Sequence, residues 1–191
     1  MASVTFITHP DVAIDPVIPV PDWCLNPTGI ARMRSMLTQC WVGSLAYVAS
    51  SAERKARDGA DILAAHLGLA ASVHADLGEN DRSATGYMPK PAFEALVDAF
   101  FANPTDSVQG WERAVDAQAR IVSAMRAVLA SAPPGDVAVV SHGGVGALLL
   151  CHLRQSPISQ AADQPPGNGG YFLTFDRASW RLQTAWQRID P

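Results

Sequence analysis

Two histidines follow strand-like segments of the chain. His9 comes soon after Val4-Thr5-Phe6-Ile7, and His142 follows the apolar run 137–140. β-branched and aromatic residues favour strands, and the ligand pocket of an open α/β sheet lies at the carboxyl ends of its strands. The two positions therefore predict that His9 and His142 face one pocket. The alternative for each is a strand-terminal histidine satisfied by backbone hydrogen bonds, since histidine is of intermediate burial.

Two glycines follow His142 at the predicted start of a helix. Gly143 and Gly144 have no side chains, so an anion can approach backbone N–H groups where the helix dipole is positive. The pair predicts a phosphate site at Gly143. A His-Gly-Gly string is a weak signal by itself, and these glycines are also compatible with tight packing of a helix on a sheet.

The elements that position these residues alternate along the chain. Strands are predicted at 4–7, 45–49, 71–75, 136–141, 171–175 and 180–186, and helices at 27–39, 52–67, 91–102, 107–130 and 145–153. This alternation favours an α/β protein, a three-layer sandwich whose mostly parallel central sheet carries helices on both faces. A length of 191 residues suits one domain, so we expect a single domain over 1–191.

Two segments are predicted as loops beside the strand ends. The first, 11–25, is proline-rich, and the second, 76–91, is polar with several glycines and prolines. Loops of this kind carry binding and catalytic residues more often than the elements that they connect.

Charge and cysteine content exclude several classes of binding partner and of structural site. A net charge of -4 and a pI near 5.6 provide no basic field, so nucleic acid and anionic membrane are disfavoured and a small-molecule substrate is favoured. Cys24, Cys40 and Cys151 lack metal-ligand spacing, so we expect reduced thiols and neither a disulfide framework nor a zinc site. The first basic residue is Arg32, unlike in a secretory signal, so we expect a cytoplasmic protein.

Four short motifs occur in the order found in a known family. They are Phe6-Ile7-Thr8-His9-Pro10, Ser51-Ala52-Glu53-Arg54-Lys55-Ala56, Leu77-Gly78-Glu79-Asn80 and Val139-Val140-Ser141-His142-Gly143-Gly144-Val145. They resemble, in turn, the Arg-His-Gly, Ser-Pro-x-x-Arg-Ala, acidic and Ser-His-Gly-Gly motifs of the histidine phosphatase superfamily. That family, phosphoglycerate mutase-like in fold, includes the mutases and many phosphomonoesterases. The last motif matches without change and is the most specific.

The resemblance implies a metal-independent phosphomonoester hydrolase that needs no cofactor and acts on a small phosphorylated substrate. His9 is then the nucleophile that forms a phosphohistidine, Glu79 the proton donor with a raised pKa, and His142 the stabiliser of the phosphoryl group. The implied phosphate-binding residues are Lys55, Thr8, Gly143 and Arg82. The phosphoglycerate mutase reaction is disfavoured, because those relatives are generally longer and carry extra lid segments.

The departures from the family pattern weaken the phosphate site. Thr8 and Lys55 replace two arginines, Pro10 replaces a glycine, and Asp15 replaces an asparagine. Lysine lacks the guanidinium fork, and each lost preorganised donor typically costs about a hundredfold to a thousandfold in turnover. The alternative is therefore a degenerate member, catalytically weak or inactive, that binds a phosphorylated ligand.

Compensation for the missing guanidinium groups is predicted to come from Arg54 or Arg82. The other interpretation of Arg54, together with Arg57, is a solvated helix face with Glu53 and Asp58 nearby. Loss of the arginine at position 8 removes a positive charge beside His9. We therefore expect the His9 pKa to rise relative to relatives that keep the arginine, with an upward shift of the pH optimum.

Overall fold

The computed structural model describes residues 2–190, and these residues form an α/β fold around one six-stranded sheet. The strands are β1 (Ser3–Thr8), β2 (Leu45–Ser51), β3 (Ala71–His74), β4 (Asp136–Ser141), β5 (Tyr171–Asp176) and β6 (Leu182–Arg188). Their order in the sheet is β3-β2-β4-β1-β5-β6. The first four are mutually parallel, whereas β5 and β6 form an antiparallel hairpin at one edge. The mostly parallel sheet predicted from the sequence is confirmed.

Helices cover both faces of the sheet. They are α1 (Pro27–Met36), α2 (Arg54–Leu67), α3 (Lys90–Ala102), α4 (Ala114–Ser131) and α5 (Gly143–Leu153). Because successive strand residues point to opposite faces, Phe6 packs in a core with α4 and α5, and its neighbour Ile7 packs in a second core with α1 and α2. Two apolar cores on opposite sides of one sheet give the predicted three layers.

Three helices, α2, α4 and α5, begin two or more residues from their predicted starts, and α5 begins at Gly143, two residues early. Helix α2 begins at Arg54, two residues late, and Glu53 takes the N-cap position with extended backbone. Helix α4 begins at Ala114, seven residues late. Positive φ angles of 51° at Gln109 and 81° at Gly110 turn the preceding chain away from the helical path.

Several smaller expectations also have an outcome here. Cys24, Cys40 and Cys151 are free thiols. Asn26 caps the start of α1, since its side chain accepts a hydrogen bond of 2.9 Å from the N–H of Gly29. No helix within residues 2–190 combines the length and apolar character needed to cross a bilayer.

Candidate active site

Neighbouring parallel strands bring His9 and His142 together. Thr8 at the end of β1 pairs with Ser141 at the end of β4, and the N–H of His9 donates to the Ser141 carbonyl at 3.1 Å. The centroids of the two imidazole rings lie 5.2 Å apart in a T-shaped arrangement. The two histidines thus share one end of the sheet, where the sequence predicted them.

The hydrogen bond of His9 fixes its tautomer. Its Nδ1 lies 3.0 Å from the carbonyl oxygen of Pro10, which can only accept, so Nδ1 carries the proton and the lone pair is on Nε2. Burial lowers the His9 pKa to about 3, assisted by His142 and the Lys55 charge. The imidazole is therefore neutral above that pH. Burial, rather than the missing arginine at position 8, dominates this pKa, so the expected upward pH shift finds no support.

His142 is fully buried beneath the site. Its Nε2 lies 2.8 Å from Ser51 Oγ and 3.3 Å from Glu53 Oε1. Burial lowers the His142 pKa, and the charges of Glu53 and Glu79 act in the opposite direction. Its Nδ1 is buried and makes no hydrogen bond to any residue between 2 and 190.

Lys55 lies in the pocket and is already paired. Its side chain is almost fully buried, and its Nζ donates to the Val20 carbonyl at 2.9 Å and to Glu53 Oε2 at 2.5 Å. Burial alone raises the Glu53 pKa, but His142 and Lys55 together lower it to about 2. Glu53, expected beside a solvated helix face, instead directs its carboxylate into the pocket. Arg54 does lie on such a face, where it pairs with Asp58 at 2.7 Å.

Glu79 caps helix α5. Its Oε2 accepts from the N–H of Gly144 at 3.1 Å, and its Oε1 accepts from the N–H of Val145 at 2.9 Å. Burial raises the Glu79 pKa, but Arg82, His142 and the backbone donors lower it below the ordinary value. The expectation of a raised pKa is therefore wrong for the ligand-free protein.

The N-terminus of α5, where the sequence predicted a phosphate at Gly143, is thus occupied by the Glu79 carboxylate. The space beside Gly143 is also filled, because a Cβ added there would lie 2.5 Å from Gln164 Nε2. A phosphate at Gly143 would have to displace these side chains, so the structure disfavours that part of the predicted site.

The Thr8 hydroxyl group serves the fold. It donates to Gln164 Oε1 at 2.6 Å and accepts from the N–H of Tyr171 at 3.0 Å, in a fully buried position. Its proton is engaged, so the geometry disfavours the predicted role of Thr8 in phosphate binding.

Arg82 lies at the rim of the site, on two aromatic rings. Its guanidinium carbon is 4.9 Å from the centroid of Phe93 and 5.7 Å from that of Trp111. These cation–π contacts hold the side chain, and its charge contributes to lowering the pKa of Glu79 and of His142. Arg82 therefore remains a candidate to contact an anion.

Asp163 is a carboxyl of this region that the sequence did not indicate. Burial raises its pKa to about 6, with a further contribution from Glu79, although its Oδ1 accepts from the N–H of Gln164 at 2.7 Å. It lies in the Pro/Gly-rich segment 157–170, where no pattern marks one acidic residue over another. Among residues 2–190, no group of three or more His, Cys, Asp and Glu side chains is arranged to hold a metal ion.

Comparison with known proteins identifies a family and its fold. The family model of the histidine phosphatase superfamily (branch 1) matches residues 17–187, a range that begins after His9. No curated protein matches the chain significantly.

Solved structures of similar fold cover nearly the whole chain. Mycobacterial glucosyl-3-phosphoglycerate phosphatase, solved with inorganic phosphate, has 20% sequence identity and a TM-score of 0.77 over 100% of both chains. YhfR of Bacillus stearothermophilus has 17% identity and a TM-score of 0.79, covering 98% of this chain and 96% of its own. At these identities the likeness is one of fold.

Proposed function

Because the chain belongs to the histidine phosphatase superfamily (branch 1), we propose that it is a metal-independent phosphomonoester hydrolase of the cytoplasm. One observation carries the proposal: His9 and His142 lie 5.2 Å apart between ring centroids, with His9 Nδ1 held by the Pro10 carbonyl. This arrangement gives a neutral imidazole whose Nε2 lone pair is available to attack phosphorus.

The proposed reaction has two steps. His9 Nε2 forms a bond to phosphorus while the bond from phosphorus to the ester oxygen breaks, and the alcohol leaves. Water then attacks phosphorus and gives a proton to the carboxylate that protonated the alcohol, while the P–N bond breaks, which releases phosphate and restores the neutral imidazole. A covalent intermediate divides a difficult displacement into two easier ones. His142, close to His9 and fully buried, is proposed to stabilise the transferring phosphoryl group.

We propose Glu79 as the proton donor to the leaving oxygen. In the ligand-free protein its pKa is lowered, but a phosphate dianion bound beside it raises the pKa by like-charge repulsion. Asp163, whose pKa is already raised to about 6, is the competing candidate. An alkyl phosphate needs this proton more than an aryl phosphate does, so Glu79→Gln should lose more turnover on the alkyl ester. A selective loss in Asp163→Asn instead would transfer the role to Asp163.

The proposed substrate is a small phosphorylated metabolite. The mycobacterial neighbour is a glucosyl-3-phosphoglycerate phosphatase that was solved with inorganic phosphate, and that activity supports the same class of substrate for this chain. Lys55 and Arg82 are the proposed cationic contacts of the phosphate.

The first experiment measures phosphate release from an aryl phosphate between pH 4 and pH 9, without added metal. We expect His9→Ala to reduce the rate at least about a hundredfold, whereas the matched control His66→Ala, an exposed histidine of α2, keeps it. Because the His9 pKa is near 3, protonation of His9 produces no acidic limb in this range. Equal rates in wild type and His9→Ala would contradict the proposal.

A second candidate function is a catalytically weak or inactive member that binds a phosphorylated ligand. The observation in its favour is the ion pair between Lys55 and Glu53. Lys55 replaces the family arginine, and the Glu53 carboxylate neutralises its charge. Ligand binding without His9-dependent turnover would favour this candidate.

A further inference from the structure

Glu53 contacts Lys55 and His142, the two groups near His9 to which the family resemblance assigns contacts with the phosphate. Its Oε2 pairs with Lys55 Nζ, and its Oε1 lies 3.3 Å from Nε2 of His142. In the motif Ser-Pro-x-x-Arg-Ala this position is unspecified, so the resemblance gives Glu53 no role. A carboxylate stands here where phosphate oxygens are expected.

The position of Glu53 is well defined. It is the N-cap residue of α2, with φ −67° and ψ 139°, and its backbone N–H donates to Ser51 Oγ at 3.1 Å. Its Oε1 also accepts from the N–H of Glu79 at 2.9 Å. Contacts to Ser51 at the end of β2, to Lys55 in α2 and to Glu79 in the loop after β3 hold Glu53 in the pocket.

The balance of charge in the pocket follows from these contacts. Lys55 is neutralised by Glu53, His9 and His142 are uncharged near neutral pH, and Glu79 adds a second carboxylate, which the charge of Arg82 at the rim opposes. An incoming phosphate dianion must displace Glu53 from its partners or bind beside two negative charges. Like charges repel more strongly in a protein site than in water, because the effective dielectric there is lower.

We propose that the Glu53 carboxylate competes with phosphate for Lys55 and His142. The inference rests on the proposed function, from which the phosphate site is taken. It concerns the binding of phosphate and not turnover. With Glu53 charged, the site binds inorganic phosphate weakly. With that charge removed, Lys55 becomes an unpaired buried cation to which phosphate binds.

The test is a calorimetric titration of inorganic phosphate at pH 7 into wild type, Glu53→Gln and the control Glu94→Gln, an exposed glutamate of α3. We expect Glu53→Gln to bind phosphate at least about tenfold more tightly than wild type, and Glu94→Gln to match wild type. The double variant Glu53→Gln/Lys55→Met should lose the gain.

Thermal unfolding provides a second readout. Without phosphate, Glu53→Gln should unfold several degrees below wild type, because an unpaired buried charge is destabilising. Phosphate should restore much of that loss, and sodium chloride at equal ionic strength should not. If Glu53→Gln fails to fold, the phosphate affinity of the wild-type protein, which needs no variant, still tests the inference.

Each outcome decides the inference separately from catalysis. Equal phosphate affinity in wild type and Glu53→Gln overturns the inference. A wild-type Kd of about 10 µM or tighter also overturns it, and this measurement needs only the wild-type protein. Absence of binding in every variant overturns it together with the phosphate site itself. Tighter binding in Glu53→Gln without His9-dependent hydrolysis supports the inference while rejecting the proposed enzyme.

Discussion

The backbone N–H of Gly144 donates a hydrogen bond of 3.1 Å to Oε2 of Glu79, so a carboxylate from the loop after β3 caps helix α5. The first backbone N–H groups of a helix have no partner within it and carry its positive dipole end. Glu79 satisfies two of them, at Gly144 and Val145. The proposed proton donor is thus also a structural element of the fold.

Removing the Glu79 carboxylate should destabilise the protein. We expect Glu79→Ala to lower the free energy of unfolding by about 1–2 kcal/mol, the usual cost of a lost N-terminal cap. Glu79→Gln should lose less, because its carbonyl oxygen still accepts. Urea denaturation at pH 7 measures both, with Glu94→Ala as an exposed control. Equal losses in Glu79→Ala and Glu94→Ala would show that the cap contributes nothing.

A side chain at position 144 should disturb the same cap from the opposite side. A Cβ added to Gly144 would lie 2.7 Å from Oε1 of Glu79, whereas one added to Gly43 meets nothing within 4 Å. We expect Gly144→Ala to lose about 1 kcal/mol or more of stability and Gly43→Ala to lose none. In a Glu79→Ala background the loss from Gly144→Ala should vanish. If the two losses simply add, the clash with Glu79 is not the cause.

The juxtaposition of His9 and His142 could be predicted from sequence, whereas the direction of Glu53 could not. Parallel strands that end in histidine place both rings at one edge of the sheet, whatever the detailed packing. Predicting the start of α2 at residue 52 places Glu53 inside the first helical turn. The helix in fact begins at Arg54, and the extended backbone of Glu53 turns its side chain toward His142. The difference of two residues in the start of α2 therefore determines whether the Glu53 carboxylate faces solvent or the site.

The burial of Asp163 was beyond sequence analysis for a different reason. Its raised pKa depends on how the segment 157–170 folds back on the N-terminus of α5. Such a contact joins parts of the chain without periodicity, and patterns of hydrophobic spacing carry no information about it.

Arg120 should prove to be a positioning residue for the Glu79 loop. From helix α4 its guanidinium donates to three carbonyls, those of Asp76, Gly78 and Glu79, at 2.8, 3.0 and 3.1 Å. We expect Arg120→Ala to lower the free energy of unfolding by about 2–4 kcal/mol, since each hydrogen bond to a charged group contributes roughly 1.5–3 kcal/mol and the contributions are not additive.

Hydrogen exchange distinguishes a local role for Arg120 from a general one. Amides 76–80 should exchange faster in Arg120→Ala, and Arg120→Lys should restore little, because lysine lacks the planar fork that reaches several acceptors. Arg57→Ala, an exposed arginine of α2, is the control. Unchanged exchange of amides 76–80 would contradict the positioning role.

Asp163 should make stability depend on pH with a defined sign. Its pKa in the folded protein, about 6, lies above the ordinary value of 3.8, so folding favours the protonated carboxyl. Its contribution is therefore complete below pH 3.8 and is lost as the pH rises through 6. At pH 8, above both pKa values, the buried charge should cost about 3 kcal/mol. Asp163→Asn, which cannot ionise, should then be more stable than wild type by that amount at pH 8 and about equal to it at pH 4.

Urea denaturation at pH 4, 6 and 8 tests this dependence, with the exposed Asp61→Asn as the matched control. Asp61→Asn should stay within about 0.5 kcal/mol of wild type at every pH, as most surface substitutions do. A gain in Asp163→Asn that is the same at pH 4 and pH 8 would originate in packing, because ionisation of Asp163 changes between those two values. Only a gain that grows between pH 4 and pH 6 and persists at pH 8 identifies the charge of Asp163 as its source, and with it a carboxyl able to hold a proton beside the site near neutral pH.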